Sequence, residues 1–142
     1  MTQVDPDNEA TYCVCVIKSE QSETELPKQA ILAQLKRYRF SDEALFGIKL
    51  ALEEALTNAV KHGNGSDPNK KVTVRYAVNA DKAVFVIRDE GRGFIPDEIP
   101  DPTTADRLAL PEGRGIMLIR AYMDELVFRD HGREIYFAKY RK

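Results

Sequence analysis

Apolar and polar positions along this chain change rhythm several times, and each change marks an element. Residues 11–19, "TYCVCVIKS", are β-branched and apolar on both faces, which predicts a central strand. In "ELPKQAILAQLKRYRF", Ile31, Leu32, Leu35 and Tyr38 recur at helical spacing, and a first helix is expected there. Ser41 offers an N-cap for a second helix, "DEALFGIKLALEEALTNAVKHG", which runs about six turns before Gly63 and Gly65 stop it. The runs "KVTVRYAV" and "AVFVIRD" flank "NAD", a short polar connection that suits a hairpin. Residues 90–112 hold four prolines, two glycines and few periodic apolar positions, so they read as a long loop, a kind that is usually functional in a compact domain. Helical pattern returns in "GIMLIRAYMDEL", and "LVFRDHGREIYFAKY" reads as two strands about a "DHG" turn. The elements sum to a mixed, mostly antiparallel sheet with helices packed on it.

Length and charge narrow the function classes. At 142 residues the chain fits one domain, expected over residues 10–142 behind a loose tail at residues 1–9. Charged residues make up 31%, but 21 basic against 23 acidic leave a net charge of -2. That balance offers no electrostatic footprint for nucleic acid and no polybasic membrane patch. No apolar run approaches a membrane span, and the polar, acidic "MTQVDPDNEA" does not read as a signal peptide. Cys13 and Cys15 lie two apart, too close for an ordinary disulfide and too few for a thiol metal site. They read as two half-buried thiols in a reducing cytoplasm.

Within the second helix, Glu54 and Asn58 stand four apart on one face against an apolar background. Surface pairs at that spacing are usually Glu with Lys, which support the helix; Glu with Asn gains little of that kind. Two glycine pairs follow. "RDEGRGF" leaves a strand and "PEGRGIMLI" opens a helix. Neither is a G-x-G-x-x-G fingerprint, because the third positions are Pro96 and Leu118, and the chain has no P-loop motif. A glycine pair at a helix N-terminus can let backbone N–H groups approach a phosphate. Each pair alone reads better as turns and caps.

Taken in order, Glu-x-x-x-Asn on a helix, Asp-x-Gly-x-Gly-Phe after a strand, and Gly-x-Gly before a helix resemble the ATP-binding domain shared by gyrase-type topoisomerases, heat-shock chaperones, histidine kinases and mismatch-repair ATPases. The motifs span residues 50–125. Within that superfamily, "EEALTNAVKHGN" and "GRGIMLIRAYMDEL" are most similar to the anti-sigma-factor serine kinases. The resemblance implies an α+β two-layer sandwich with three main helices on one face of the sheet. It also implies ATP and Mg²⁺ as cofactors, a sigma factor and a small serine-bearing antagonist as partners, and a homodimer acting in the cytoplasm.

The resemblance assigns roles residue by residue. Asn58 is the Mg²⁺ ligand, adequate alone because Mg²⁺ keeps several waters and takes phosphate oxygens. Glu54, one turn earlier, is the general base for an incoming hydroxyl. Glu53 is its rival, but it points about 100° away and shares a face with Thr57, as a solvated helix residue would. Asp89 accepts from the adenine amino group; a carboxylate can only accept, which favours adenine over guanine. Gly91, Gly93 and Phe94 line the base and sugar. Residues 96–112 form a lid over the phosphates, which Gly113, Arg114 and Gly115 hold at the helix N-terminus; Arg114 reads equally as a solvated lid residue. Thr103 and Thr104 carry no role, and His62 and His131 read as packing and turn residues. A histidine-kinase reading is set aside, since no room exists for a phosphoacceptor helix.

The chain departs from the family pattern at one point. Relatives carry Thr after the glycine that opens the last strand, whereas Gly132 is followed here by Arg133. The partner surface carries no motif, and Arg37 and Arg39 are its candidates. The expected function is a Mg²⁺- and ATP-dependent protein serine kinase that regulates a sigma factor by partner switching. The alternative is a nucleotide-gated binding module without phosphotransfer, against which the retention of Glu54 argues. A simple ATPase ranks third, because its larger relatives need further domains to use the motion.

Overall fold

The computed structural model describes residues 4–91 and 111–141, with the side chains of 111–114 excepted. Five strands form one sheet: β1 (Cys13–Lys18), β2 (Lys71–Val78), β3 (Lys82–Arg88), β4 (Glu125–Arg129) and β5 (Glu134–Tyr140). Their order is β1-β2-β3-β5-β4, and every neighbouring pair is antiparallel. Among the described residues three α-helices accompany the sheet: α1 (Glu25–Arg37), α2 (Asp42–Thr57) and α3 (Pro111–Tyr122). The sheet pattern follows from the sequence. β2 and β3 are joined through Asn79, whose side-chain Oδ1 accepts from the N–H groups of Asp81 and Lys82 at 2.8 and 2.9 Å, so the expected hairpin closes on an Asx turn. β4 and β5 turn through Asp130, His131 and Gly132, all at positive φ.

The helices cover one face of the sheet. Ile31 and Leu35 of α1, Ile48, Leu52 and Leu56 of α2, and Ile119 of α3 pack on Val72, Val74, Phe85, Ile87 and Phe137. All eleven are buried, and each contributes roughly 1.5–3 kcal/mol by leaving water. The rings of Phe85 and Phe137 lie 5.2 Å apart at the centre of this layer. Ser41 caps α2 as expected, its Oγ accepting from the Ala44 N–H at 3.1 Å.

Two expectations need correction. β1 was expected to be central but is an edge strand: Cys13, Cys15 and Ile17 face the helices, while Val14 and Val16 are 61% and 54% exposed. Apolar residues on both faces satisfy strand propensity without fixing which face is covered. The two cysteines are free and half-buried on one face, as expected. The other correction concerns residues 5–9, expected within a loose tail. They are tied to the far face of the sheet: Asp7 pairs with Lys82 Nζ at 2.6 Å and Glu9 with Arg129 Nη1 at 3.0 Å. Tyr12 Oη donates to the Pro6 carbonyl at 2.6 Å, and beneath this segment Tyr12, Ala77, Val84, Val86 and Ala138 form a second buried cluster. A polar stretch looks loose in sequence because its ionic partners lie far downstream in the chain.

Candidate functional site

The site lies where α2 ends. α-Helical geometry holds through Thr57, and Asn58–Gly63 then widens into a π-helical turn. The turn is closed by the Asn64 N–H, which donates to the Ala59 carbonyl five residues back at 2.9 Å, and by the Ser66 N–H, which donates to the Val60 carbonyl at 2.8 Å. A continuous α-helix to Gly63 was expected. The difference arises because the residues after the helix are anchored elsewhere and draw its last carbonyls out of α register. Such turns are frequent at functional sites.

Glu54 and Asn58 remain one turn apart on a half-buried face. Glu53 points elsewhere, 3.5 Å from Lys28 Nζ of α1, and Lys28 also pairs with Glu25 at 2.8 Å. Glu53 is exposed, as a solvated helix residue would be, while its carboxylate also lends charge to the buried Lys28 ammonium, which is 6% exposed.

α3 runs antiparallel to α2. Near its C-terminus Tyr122 meets Gly47 and stacks edge-on against Phe46, with ring centroids 5.8 Å apart. Near its N-terminus Gly115 faces Glu54 and Asn58. A Cβ placed on Gly115 would lie 2.9 Å from Glu54 Oε2, 3.2 Å from Asn58 Nδ2 and 3.6 Å from Asn58 Oδ1. An acid, an amide and a bare backbone therefore converge on one point. The helix begins at Pro111, earlier than the glycine pair suggested, so Gly113 and Arg114 stand in its first turn. Proline suits the first helical position because its missing N–H has no intrahelical acceptor there. First-turn N–H groups have no intrahelical acceptor, and the helix dipole adds a partial positive charge, so this end attracts an anion.

Asp89 follows β3 and is 9% exposed. Its backbone N–H donates to the Arg133 carbonyl at 2.9 Å, which continues the β3–β5 pairing by one residue. Its Oδ1 accepts from the Gly91 N–H at 2.8 Å. Burial pushes the carboxyl above its usual range, opposed by the Gly91 hydrogen bond and then by Arg133, Arg88 and Lys70. Asp89 lies against the end of the π-helical turn: a Cβ on Gly63 would stand 2.3 Å from Asp89 Oδ2, and a Cβ on Gly91 1.9 Å from the Gly63 carbonyl oxygen. Both positions are closed to any other residue without rearrangement.

The structure thus brings Glu54, Asn58 and Gly115 together, and Asp89 together with Gly91. Gly93, Phe94 and the expected lid up to residue 110, Thr103 and Thr104 included, lie outside the described residues. His62 is exposed in the π-helical turn, and His131 stands in the β4–β5 turn at φ 55°. Sequence reasoning missed three contributors. Gly63 was read as a helix stop, but its bare Cα is what admits the Asp89 carboxylate. Asn64 is only 2% exposed and bridges three segments. Arg133, read as a departure, donates from Nε to the Gly91 carbonyl at 2.9 Å. The "HGNG" run was the available signal, since an Asn between two glycines is as well placed to bind backbone as to turn it.

Comparison with known proteins gives a consistent result. Against the serine-protein kinase RsbW of Listeria monocytogenes serotype 4a, the chain is 31% identical over 114 residues, covering 73% of this chain and 71% of that one. Against RsbW of Bacillus subtilis the identity is 26% over 141 residues, 94% and 88% of the two chains. Against the anti-sigma F factor of Geobacillus stearothermophilus it is 32% over 116 residues, 78% and 77%. Residues 19–139 match the histidine kinase-like ATPase domain, which takes in every strand but β1, the last strand up to Lys139, and all three helices. The chain belongs to the histidine kinase-like ATPase domain family.

Proposed function

We propose that this protein is a Mg²⁺- and ATP-dependent protein serine kinase that acts as an anti-sigma regulatory factor by partner switching. The observation that carries the reading is the convergence of Glu54 and Asn58 on Gly115, beside the first turn of α3. Phosphoryl transfer asks a protein mainly for positioning and charge stabilisation, and two rigid antiparallel helices, the C-terminal end of one beside the N-terminal end of the other, suit both. Bound Mg²⁺ would neutralise charge on the phosphates. Among the described residues no group of three or more His, Cys, Asp or Glu could hold a metal ion, so the donor set fits an ion that brings phosphate oxygens and waters and takes only the Asn58 amide oxygen.

In this reading Glu54 takes the proton of the incoming serine hydroxyl. The first-turn N–H groups at Gly113 and Arg114 face the phosphates, with Gly115 admitting the reacting groups. Asp89 accepts from the adenine amino group, and Gly91, Gly93 and Phe94 line the base and sugar. The relatives named as RsbW and anti-sigma F factor support the choice of a serine-bearing antagonist and a sigma factor as partners. The exposed valines of edge strand β1 and the exposed Arg37 and Arg39 at the C-terminal end of α1 offer surface for partners and for a second copy of the chain. The proposed compartment is the cytoplasm; among the described residues no helix is long and apolar enough to cross a membrane.

Calorimetric titration with ATP and GTP, with and without Mg²⁺, tests the reading. Binding that requires Mg²⁺, excludes GTP and vanishes in Asn58→Ala is expected. Tight Mg·ATP binding by that variant would remove the metal-ligand role. Glu54→Gln is expected to bind ATP nearly as the parent does and to lose phosphotransfer. Wild-type protein that binds ATP but never transfers phosphate to serine would leave the nucleotide-gated binding module as the function.

A further inference from the structure

Asp89, Glu90 and Gly91 form a short strap between the end of β3 and the residues that follow. Beside its internal bond, from the Gly91 N–H to Asp89 Oδ1, two of its backbone groups are engaged by side chains from elsewhere: the Glu90 N–H and the Gly91 carbonyl. Each is taken by a side chain from a different part of the fold. Asn64 Oδ1 accepts from the Glu90 N–H at 2.7 Å, and Arg133 Nε donates to the Gly91 carbonyl at 2.9 Å. We propose that Asn64 and Arg133 are positioning residues that clamp this strap over Gly63, and that they set base selectivity without touching the nucleotide. The proposal rests on the reading of Asp89 as the acceptor of the adenine amino group.

Asn64 suits this task and close substitutes do not. Its amide Nδ2 donates to Ser19 Oγ at 2.5 Å and to the Lys71 carbonyl at 2.9 Å, so both donor hydrogens are used. A flipped amide would set donor against donor at Glu90 and acceptor against acceptor at Lys71, and the network therefore fixes the rotamer. Asp in its place would bring a second acceptor against the Lys71 carbonyl. Glu90 adds a return contact, its Oε1 accepting from the Lys71 N–H at 2.5 Å. The π-helical turn, the start of β2 and the strap are in this way held to one another through residues 64, 71 and 90.

Arg133 holds the other end. It immediately precedes β5, and its own carbonyl already receives the Asp89 N–H, so one residue grips the strap by main chain and side chain. Its Nη1 lies 3.6 Å from Asp130 Oδ1, which steadies the guanidinium. Its charge beside Asp89 also favours the ionised carboxylate, the form that accepts only. With Oδ1 engaged by Gly91, the remaining acceptor of Asp89 is Oδ2, the atom that lies over the bare Cα of Gly63. The height of the strap determines where that atom points, and the two clamps determine the height.

The test compares binding of Mg·ATP with binding of Mg·purine riboside triphosphate, which lacks the 6-amino group, to the full chain. Wild type, Asp89→Asn, Asn64→Ala, Arg133→Ala and Arg133→Lys are titrated by calorimetry, with circular dichroism melts on the same samples. A hydrogen bond to a charged group predicts a wild-type preference for ATP of roughly tenfold to a hundredfold. Asn64→Ala and Arg133→Ala are expected to cut that preference to within about threefold while the analogue binds as before, since phosphates and metal are held elsewhere. Arg133→Lys keeps the charge but not the planar fork, and is expected to fall between. Arg133 is partly exposed, so its variants keep the proposal testable if Asn64→Ala fails to fold. An unchanged preference in the Arg133 variants overturns the clamp. Equal weakening of both ligands also overturns it, as mere loss of structure would do that. If Asp89→Asn keeps the full wild-type preference, the adenine-acceptor reading itself fails and the clamp falls with it; loss in Asp89→Asn but not in Arg133→Ala or Asn64→Ala isolates the failure to the clamp.

Discussion

Replacing Gly115 by Ala separates stability from chemistry at this site. Gly115 lies inside α3, where a glycine costs roughly 0.5–1 kcal/mol relative to alanine. The added methyl would meet Glu54 Oε2 at 2.9 Å, below ordinary contact by about 0.5 Å. That oxygen is the far end of a flexible side chain, so it swings aside at small cost and the helix gain dominates. Gly115→Ala is therefore expected to melt at or above the wild-type temperature, by up to about 3 °C for a domain of this size. Function moves the other way. A misplacement of about 1 Å at a reacting group can cost on the order of a hundredfold, so half that displacement of Glu54 implies roughly a tenfold loss. The same methyl lies 3.2 Å from Asn58 Nδ2 and crowds the metal ligand as well. Scanning calorimetry reads the first effect, and single-turnover loss of the γ-phosphate from Mg·ATP reads the second. A variant that melts lower yet turns over at the wild-type rate would refute the reasoning, because the convergence of α2 and α3 would then be packing alone.

Other substitutions test other parts of the account. Asp89→Asn should stabilise the unliganded protein at pH 7, because burial raises the carboxyl of Asp89 and the native state holds its proton more tightly than the unfolded chain does. The wild type loses that contribution as pH rises from about 4 through the raised native value, so the variant's advantage should vanish in melts run below pH 4. An advantage that grows on acidification would contradict the assignment. Gly63→Ala should abolish ATP binding in calorimetry, since its methyl would stand 2.3 Å from Asp89 Oδ2; wild-type affinity would show that the carboxylate has no fixed place. Ser41→Ala removes the cap of α2 and should cost about 1 kcal/mol in urea unfolding with no change in nucleotide affinity. A selective loss of affinity there would show that the whole helix, and not only its last turns, sets the site.

The parts legible in sequence are those that local chemistry decides. β2 opens with alternating apolar and polar residues, β3 is a short apolar run, an Asx-forming Asn79 joins them, and Ser41 announces α2, so their positions follow from neighbours in the chain. The edge placement of β1 is a different matter. It depends on what lies beyond Val14 and Val16, and a valine is equally good strand on a covered face or a bare one. The π-helical turn was hidden for a related reason, since "NAVKHG" has an ordinary helical pattern and its widening comes from bonds that Asn64 makes to residues 19, 71 and 90. Glu54, Asn58 and Asp89 stood out because each is a polar residue where propensity alone would not ask for one. Neither Asn64 nor Arg133 could be read there as holding residues 89–91, because the groups they hold in that segment are backbone atoms, which leave no mark in the sequence.

The π-helical turn also limits how the chain can change in length. Each residue added to or removed from a helix rotates everything after it by about 100°. Deleting one residue between Asn58 and Gly63 would restore ordinary α spacing locally, yet it would carry Gly63 away from Asp89 and Asn64 away from Glu90 together. An insertion would do the same in the opposite sense. The loop after Gly65, by contrast, returns to β2 through exposed polar residues and has room to lengthen. Length variation in relatives that keep this site should therefore fall after residue 65 and spare residues 54–64.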